Sequence, residues 1–247
     1  MSEDTIDRRS FGAGLATAVA AAALLRDREA EAQPRPSPAL APTPPERPVA
    51  PLPFPAGGLQ GLSERLLRSH HENNYAGAVR KLNEIRRQLA AADPEQAGGY
   101  WSLYGSLKAA ELAARNSALL HELYFANLGP PPAGDAGVAL PAILGALVAA
   151  RFGSLERLQA LLRGAAKASN GWVVLVTDPA SRTLEVVQTE GHAFGAWEAS
   201  PLLVLDLYEH AYALDFGADK GAYFTAVWRN VRWDEVHRRA TQALGRL

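Results

Sequence analysis

Between Leu62 and Ala92 apolar residues recur at Leu62, Leu66, Ala78, Leu82, Ile85 and Leu89, and His70 and Asn74 continue the same stripe at spacings of three or four. That period predicts a helix with His70 facing inward. Asp93-Pro94 and Gly98-Gly99 interrupt it, and a second stripe runs through Leu107, Ala110, Ala114, Ser117, His121 and Tyr124 or Phe125 until Gly129-Pro130-Pro131-Pro132 stops it. A lone histidine on an apolar face is ordinarily a hydrogen-bonded core residue. Two on adjacent helices bring the competing reading, a shared ligand site, level with it.

The second half changes character. Ala142 to Ala150 and Ser154 to Ala168 keep a helical period, whereas Gly171 to Thr177, Thr183 to Thr189 and Leu202 to Leu205 are rich in Val, Leu and Thr and are bounded by turn residues such as Asp178-Pro179. These predict three antiparallel strands. The third runs into Asp206 and His210, four apart and on one face if a helical turn follows. Helical segments from about Lys220 to Asn230 and from Trp233 to Leu244 close the chain. The predicted fold class is α+β, an N-terminal helical hairpin packed on a C-terminal domain with a three-stranded antiparallel sheet and helices.

Composition narrows the chemistry. The 247 residues are 48% apolar, enough for a full core, and 25 Lys and Arg against 26 Asp and Glu leave no general attraction to nucleic acid or acidic lipid. With no cysteine, disulfides, thiolate zinc sites, iron–sulfur clusters and a cysteine nucleophile are all excluded. A metal here must be held by histidines and carboxylates.

The N-terminus reads as an address. Arg8-Arg9 precedes an uncharged stretch of 15 residues from Phe11 to Leu25, too short to span a bilayer, and Ala30 and Ala32 suit a signal peptidase. Residues 1–32 are therefore expected to be a twin-arginine signal peptide cleaved after Ala32, which leaves a nearly neutral protein with 21 basic and 20 acidic residues. That route carries proteins already folded, commonly around a cofactor. Ten of the 23 residues from Gln33 to Pro55 are Pro, so 33–55 is expected to be an extended linker, followed by a helical hairpin domain over 56–130 and an α/β domain over 131–247.

His70, His121, Asp206 and His210 together offer three imidazoles and one carboxylate, a set that suits iron or manganese with a position left for solvent or substrate. The chain here resembles the iron/manganese superoxide dismutase family. The resemblance lies in Ser69-His70-His71 with Leu82-Asn83 downstream, in His121-Glu122-Leu123-Tyr124-Phe125, and in Asp206-Leu207-Tyr208-Glu209-His210-Ala211-Tyr212. It extends over about residues 52–240, including Gly171-Trp172, Trp228 and Trp233. It implies one iron or manganese ion per chain on His70, His121, Asp206 and His210, alternating between trivalent and divalent states. Rival motifs are absent: Phe125 stands where HExxH needs its second histidine, and there is no GxSxG.

Several family positions are changed. The gateway tyrosine falls at Ala78, and the histidine and tyrosine that meet across the family's dimer interface fall at Asn74 and Ala213. A tryptophan is replaced by Tyr208, and the second tryptophan of Gly-Trp-x-Trp by Val174. The glutamine that hydrogen-bonds the metal's solvent in manganese-type members aligns with His192; the iron-type equivalent aligns with Ser117. His192 is the expected catalytic partner, against the alternative of a surface histidine in the loop Glu190-Gly191-His192.

The resemblance thus implies a superoxide dismutase and homodimer with superoxide as substrate, while the N-terminal signal implies export by the twin-arginine machinery to the periplasm and the near-neutral charge implies neither nucleic acid nor, after cleavage, membrane as partner. Trp172, Tyr208 and Glu209 are expected beside the ligands, and Lys220 near the mouth, where positive charge guides an anion. The competing expectation is an iron- or manganese-binding protein on the same scaffold with weak or no dismutation. A different metal-dependent redox or hydrolytic enzyme using the space at Ala78 is the third.

Overall fold

The computed structural model describes residues 44–131, 139–178 and 180–245. The expected signal peptide and the first part of the expected linker lie outside these residues. Two helices begin the fold. Ser63 caps α1 (Glu64–Ser69), its side chain accepting the Leu66 N–H, and the rod continues through a π-helical turn, His70–Tyr75, into α2 (Ala76–Ala91). After Asp93 and a short 3-10 turn at Pro94–Gln96, Ser102 caps α3 (Leu103–Ala126) by accepting the Gly105 N–H. α2 and α3 form the hairpin around buried Leu82, Ile85, Ala92, Leu107 and Ala114.

The π-helical turn departs from the sequence period. With its hydrogen bonds running to i+5 rather than i+4, the residue that follows His70 inward is Tyr75, 1% exposed, while Asn74 is left half-buried. The continuous stripe expected through Asn74 is broken at that point, because the wider turn rotates the later residues about the axis.

The second half contains α4 (Ala142–Phe152), α5 (Leu155–Ala168), β1 (Trp172–Asp178), β2 (Thr183–Thr189) and β3 (Ser200–Asp206). A 3-10 turn at Glu209–Ala211, the short α6 (Ala213–Phe216), α7 (Lys220–Arg229) and α8 (Trp233–Leu244) follow. The sheet has the order β2-β1-β3, all antiparallel. Its centre, β1, is an apolar run buried from Trp172 to Thr177, as a strand covered on both faces must be. Leu144, Val148, Leu158, Leu162 and Ala166 of α4 and α5, with Val236 and Ala240 of α8, share its core. This is the expected α+β class.

Register places the chemistry. Trp172 stands opposite Thr189 on β2 and Asp206 on β3, so the last residue of the third strand and the first of the central one meet at one end of the sheet. Farther along, the β1–β3 register shifts between Leu175 and Val176, leaving Leu202 unpaired. Its carbonyl accepts instead from Asn127 Nδ2 and Arg239 Nη1. The described parts of 56–130 and 131–247 lie in one compact unit.

Residues 44–55 of the expected linker pack against the hairpin. Arg47 donates its N–H to Asn83 Oδ1 and accepts from Asn83 Nδ2, both at 2.9 Å, and Ala50 donates to Tyr75 Oη. Phe54 is buried. A Pro-rich strand forms no internal hydrogen bonds, so its remaining N–H and C=O groups are available for this docking. Among the described residues no helix is long and apolar enough to cross a membrane.

Candidate metal centre

Four side chains from three places in the fold converge. His70 opens the π-helical turn, His121 lies in the last third of α3, Asp206 ends β3 and His210 sits in the 3-10 turn that follows. One ligand atom from each falls within a mutual 4.8 Å. Asp206 Oδ2 lies 3.0 Å from His70 Nε2, 3.4 Å from His121 Nε2 and 3.3 Å from His210 Nε2. His70, His121 and Asp206 are buried; His210 keeps a quarter of its side chain exposed.

Hydrogen bonds on the far sides of His121 and Asp206 turn one atom of each inward, while the buried Nδ1 of His70 has no partner. His121 Nδ1–H donates to the Ser117 carbonyl at 2.7 Å, which fixes the neutral tautomer whose Nε2 lone pair faces Asp206. Tyr208 N–H donates to Asp206 Oδ1 at 3.0 Å, so Oδ2 is the oxygen turned inward. Burial drives His121 down to about 4 and lowers His70 as well. Burial alone would raise Asp206, but hydrogen bonds from His210 and His70 outweigh it and hold the carboxyl below its usual range. His70 and His210 donate from Nε2 to Asp206 Oδ2, but the Nε2 lone pair of His121 faces the same oxygen with no proton between them. A cation resolves that arrangement, and an N₃O donor set without thiolate fits iron or manganese.

Aromatic rings wall the centre. Trp172 meets His121 edge-on at 5.1 Å, Phe125 and Tyr124 lie 4.9 and 5.2 Å from His70, and Tyr208 stacks on His210 at 5.6 Å, nearly parallel. Tyr124 Oη accepts from Tyr223 at 3.1 Å. Within this surround His70, His121 and Asp206 are each no more than 1% exposed.

The remaining expected residues fall as follows. His192 is half-buried, 4.8 Å from the Tyr208 ring, and accepts the Trp172 indole N–H at Nδ1. Asn116 holds its loop by donating to the His192 carbonyl at 2.8 Å. Glu209 is exposed beside His210. Lys220 Nζ donates to the Ser169 carbonyl and to Asn170 Oδ1, at 2.6 and 2.8 Å. Asn170 lines a surface hollow with Tyr208, Glu209, His210 and Tyr212, so the lysine's charge stands at that rim. Ser117 serves His121 through its backbone. Ala78 packs half-buried against the core, Val174 is buried, and Ala213 is exposed.

Sequence reasoning passed over Arg47, Tyr75 and Glu122. Glu122 accepts from Tyr75 Oη at 2.8 Å and from both Nε, at 2.9 Å, and Nη2 of Arg47. The available signal was small, a carboxylate directly after a candidate ligand and an arginine in a segment read as solvated.

Comparison with known proteins agrees with this geometry. The sequence model for the family described as iron/manganese superoxide dismutases, C-terminal domain, matches residues 141–239. The chain is 40% identical over 197 residues to a superoxide dismutase [Fe] of Cupriavidus metallidurans, covering 78% of this chain and 96% of the relative. It is 34% identical over 204 residues to superoxide dismutase [Mn] 1 of Halobacterium salinarum, covering 81% and 98%. With superoxide dismutase [Fe] of Aquifex aeolicus it shares 34% over 190 residues, covering 75% and 87%. The cluster of three histidines and an aspartate, set in a helical hairpin on an α+β sheet domain, therefore sits in a chain that belongs to the iron/manganese superoxide dismutase family.

Proposed function

We propose that the protein is a superoxide dismutase that holds one iron or manganese ion on His70, His121, Asp206 and His210. The observation that carries this is the convergence of three imidazole Nε2 atoms on Asp206 Oδ2 in a site walled by aromatic rings. Bound there, the ion supplies one-electron chemistry: two superoxide ions and two protons become one dioxygen and one hydrogen peroxide.

The protein's own task is to orient the ligands and deliver protons. Trp172 N–H occupies Nδ1 of His192, which leaves the proton of the neutral ring on Nε2. His192 is the group proposed to hold and relay that proton, and Lys220, at the rim of the hollow beside His210, favours approach of an anion.

A second reading, an iron- or manganese-binding protein with weak dismutation, is favoured by the side chains at the family's gateway and interface positions, Ala78, Asn74 and Ala213. Tyr75 does not replace the gateway phenol, since its hydroxyl is committed to Ala50 and Glu122. Superoxide consumption per bound ion, measured with full occupancy by iron and then by manganese, separates the two. A rate well above that of the free ion supports the enzyme; a rate no better supports the binding protein.

Export through the twin-arginine route and a periplasmic location belong to the same proposal, on the strength of Arg8-Arg9 and the apolar stretch after them. A reporter fused to residues 1–40 should reach the periplasm, and changing both arginines to lysine should stop it.

A further inference from the structure

The four proposed ligands come from three separate parts of the chain, and a site of this kind works only when its groups are held to within about 0.5 Å. His70 is the most exposed to misplacement, because it starts a π-helical turn, a geometry rarer and less regular than the α-helix around it. Something outside that turn must set its rotation. Tyr75, which ends the turn, is 1% exposed and donates to Glu122 at 2.8 Å. Glu122 directly follows His121 on α3. One hydrogen bond thus spans the two segments that carry His70 and His121.

The same carboxylate is paired with Arg47 through Nε and Nη2, a two-pronged contact between side chains 27% and 25% exposed. Arg47 is itself fixed on α2 by its two backbone bonds to Asn83. Three residues on, Ala50 donates to Tyr75 Oη, while its carbonyl accepts from His71 Nε2 at 2.8 Å. The strap at residues 47–50 therefore touches both residues of the Tyr75–Glu122 pair and the residue after His70.

We propose that Glu122 is a positioning residue of the metal site, registering the His70 and His121 segments through Tyr75, with Arg47 of the N-terminal strap holding Glu122 in place. This rests on the reading of His70 and His121 as ligands of iron or manganese. A purely structural tie would stabilise the metal-free and metal-loaded forms equally, whereas a positioning tie stabilises the loaded form more and changes the field at the ion.

The test uses the full chain with Arg47→Met, Arg47→Lys, Glu122→Gln and Tyr75→Phe, and with Arg87→Ala as control, since Arg87 pairs with Glu46 of the strap without reaching Glu122. Affinity is measured by competition with a chelator for manganese and iron, thermal midpoints are taken with and without the ion, and the ferric form is examined by low-temperature electron paramagnetic resonance. Arg47→Met, Glu122→Gln and Tyr75→Phe are expected to weaken metal binding by about 10- to 100-fold and to alter the ferric signal. Arg47→Lys recovers part of both, and Arg87→Ala changes neither. If Tyr75→Phe fails to fold, the Arg47 pair of variants at the partly exposed end carries the comparison. Unchanged affinity and spectrum, with equal loss of stability in both forms, overturns the proposal while leaving the ligand assignment intact. A wild-type chain that takes up neither ion overturns the ligand assignment and this proposal with it.

Discussion

Trp172 donates its indole N–H to Nδ1 of His192 at 3.0 Å, and that bond decides which nitrogen of the neutral imidazole carries the proton. Trp172 also lies against His121, so one ring touches a proposed ligand and orients the proposed proton donor. His192→Ala should lower superoxide consumption per bound ion by about 10- to 100-fold with little change in metal content. His192→Gln, which keeps both an acceptor for Trp172 and an N–H, should retain most of the rate. Stopped-flow decay of superoxide against measured metal content checks this, and an alanine variant as fast as wild type would return His192 to the status of a loop residue.

Acid should act on the same contact. Burial holds His192 below the ordinary histidine value, against the opposing pull of Asp206. A depressed folded value means that the unfolded chain binds the proton more readily, so the contribution is fully present above about pH 6.5 and is lost as pH falls toward the lower folded value. Protonation would also set an N–H at Nδ1 against the Trp172 N–H. The melting temperatures of wild type and His192→Gln should therefore run parallel above about pH 6.5 and diverge below it, wild type falling faster. Parallel curves down to pH 4.5 would exclude the coupling.

Removing the ion should cost stability as well as activity. His70, His121 and Asp206 are buried and their ligand atoms face one another, so the metal-free centre keeps a crowded set of bases around one carboxylate oxygen. Free metal at 100 times its Kd would add about 2.7 kcal/mol to the folded state, roughly 5–10 °C in a protein of this size. Calorimetry of chelator-treated and reloaded protein measures the difference. Equal midpoints would mean that the four residues do not bind the ion in the folded state.

The parts of the fold that follow from periodicity were legible in the sequence: the hairpin, the three strands and the corner from Asp206 to His210. So were the four converging side chains, because His70 and His121 lie on apolar stripes, where an unpaired imidazole is conspicuous. The π-helical turn was not legible, since six residues offer too few repeats to distinguish a wider turn, and Tyr75 was therefore missed as an inward residue. The docked strap was hidden for a different reason. Proline content reports how the chain bends and which N–H groups it lacks, whereas docking depends on Asn83, Tyr75, His71 and Glu122, which lie 21 to 75 residues away.

Arg239 carries a structural role that its position on a late helix does not advertise. It is 8% exposed, pairs with Glu235 at 2.9 Å, and donates to Asn127 Oδ1 and to the carbonyls of Leu202 and Leu123. Leu202 is the residue the β3 bulge leaves unpaired, so Arg239 satisfies an acceptor the sheet cannot. Arg239→Ala should destabilise the protein by about 3 kcal/mol, roughly 6–12 °C in the midpoint. Metal content of the folded fraction should be unchanged, because none of these partners touches the ligands. Loss of metal in step with stability would show that β3 transmits the damage to Asp206.

Were the chain to form the homodimer that the family resemblance implies, the surface around Glu209 would be the place to look for its contact. Glu209 is exposed next to the part of His210 that remains open, and among the described residues its carboxylate makes no ion pair. A shallow surface lined by Ser69, Glu209, His210, Ala213 and Leu214 surrounds it, with Leu214 45% exposed. In a two-fold dimer any contact made by Glu209 occurs twice, so its loss is doubled. If, as the family resemblance implies, Glu209 reaches a ligand histidine of the second subunit, Glu209→Ala should raise the dimer Kd by about 1,000-fold or more, the equivalent of two lost buried charge contacts of about 2 kcal/mol each. Asn74→His with Ala213→Tyr should act in the opposite sense by supplying a contact this chain lacks. Sedimentation equilibrium between about 1 and 100 µM measures both effects, on a scale where a weak dimer with Kd near 1 µM is resolved. Wild type that sediments as a monomer throughout that range would remove the interface, and with it the reason for an unpaired carboxylate beside His210.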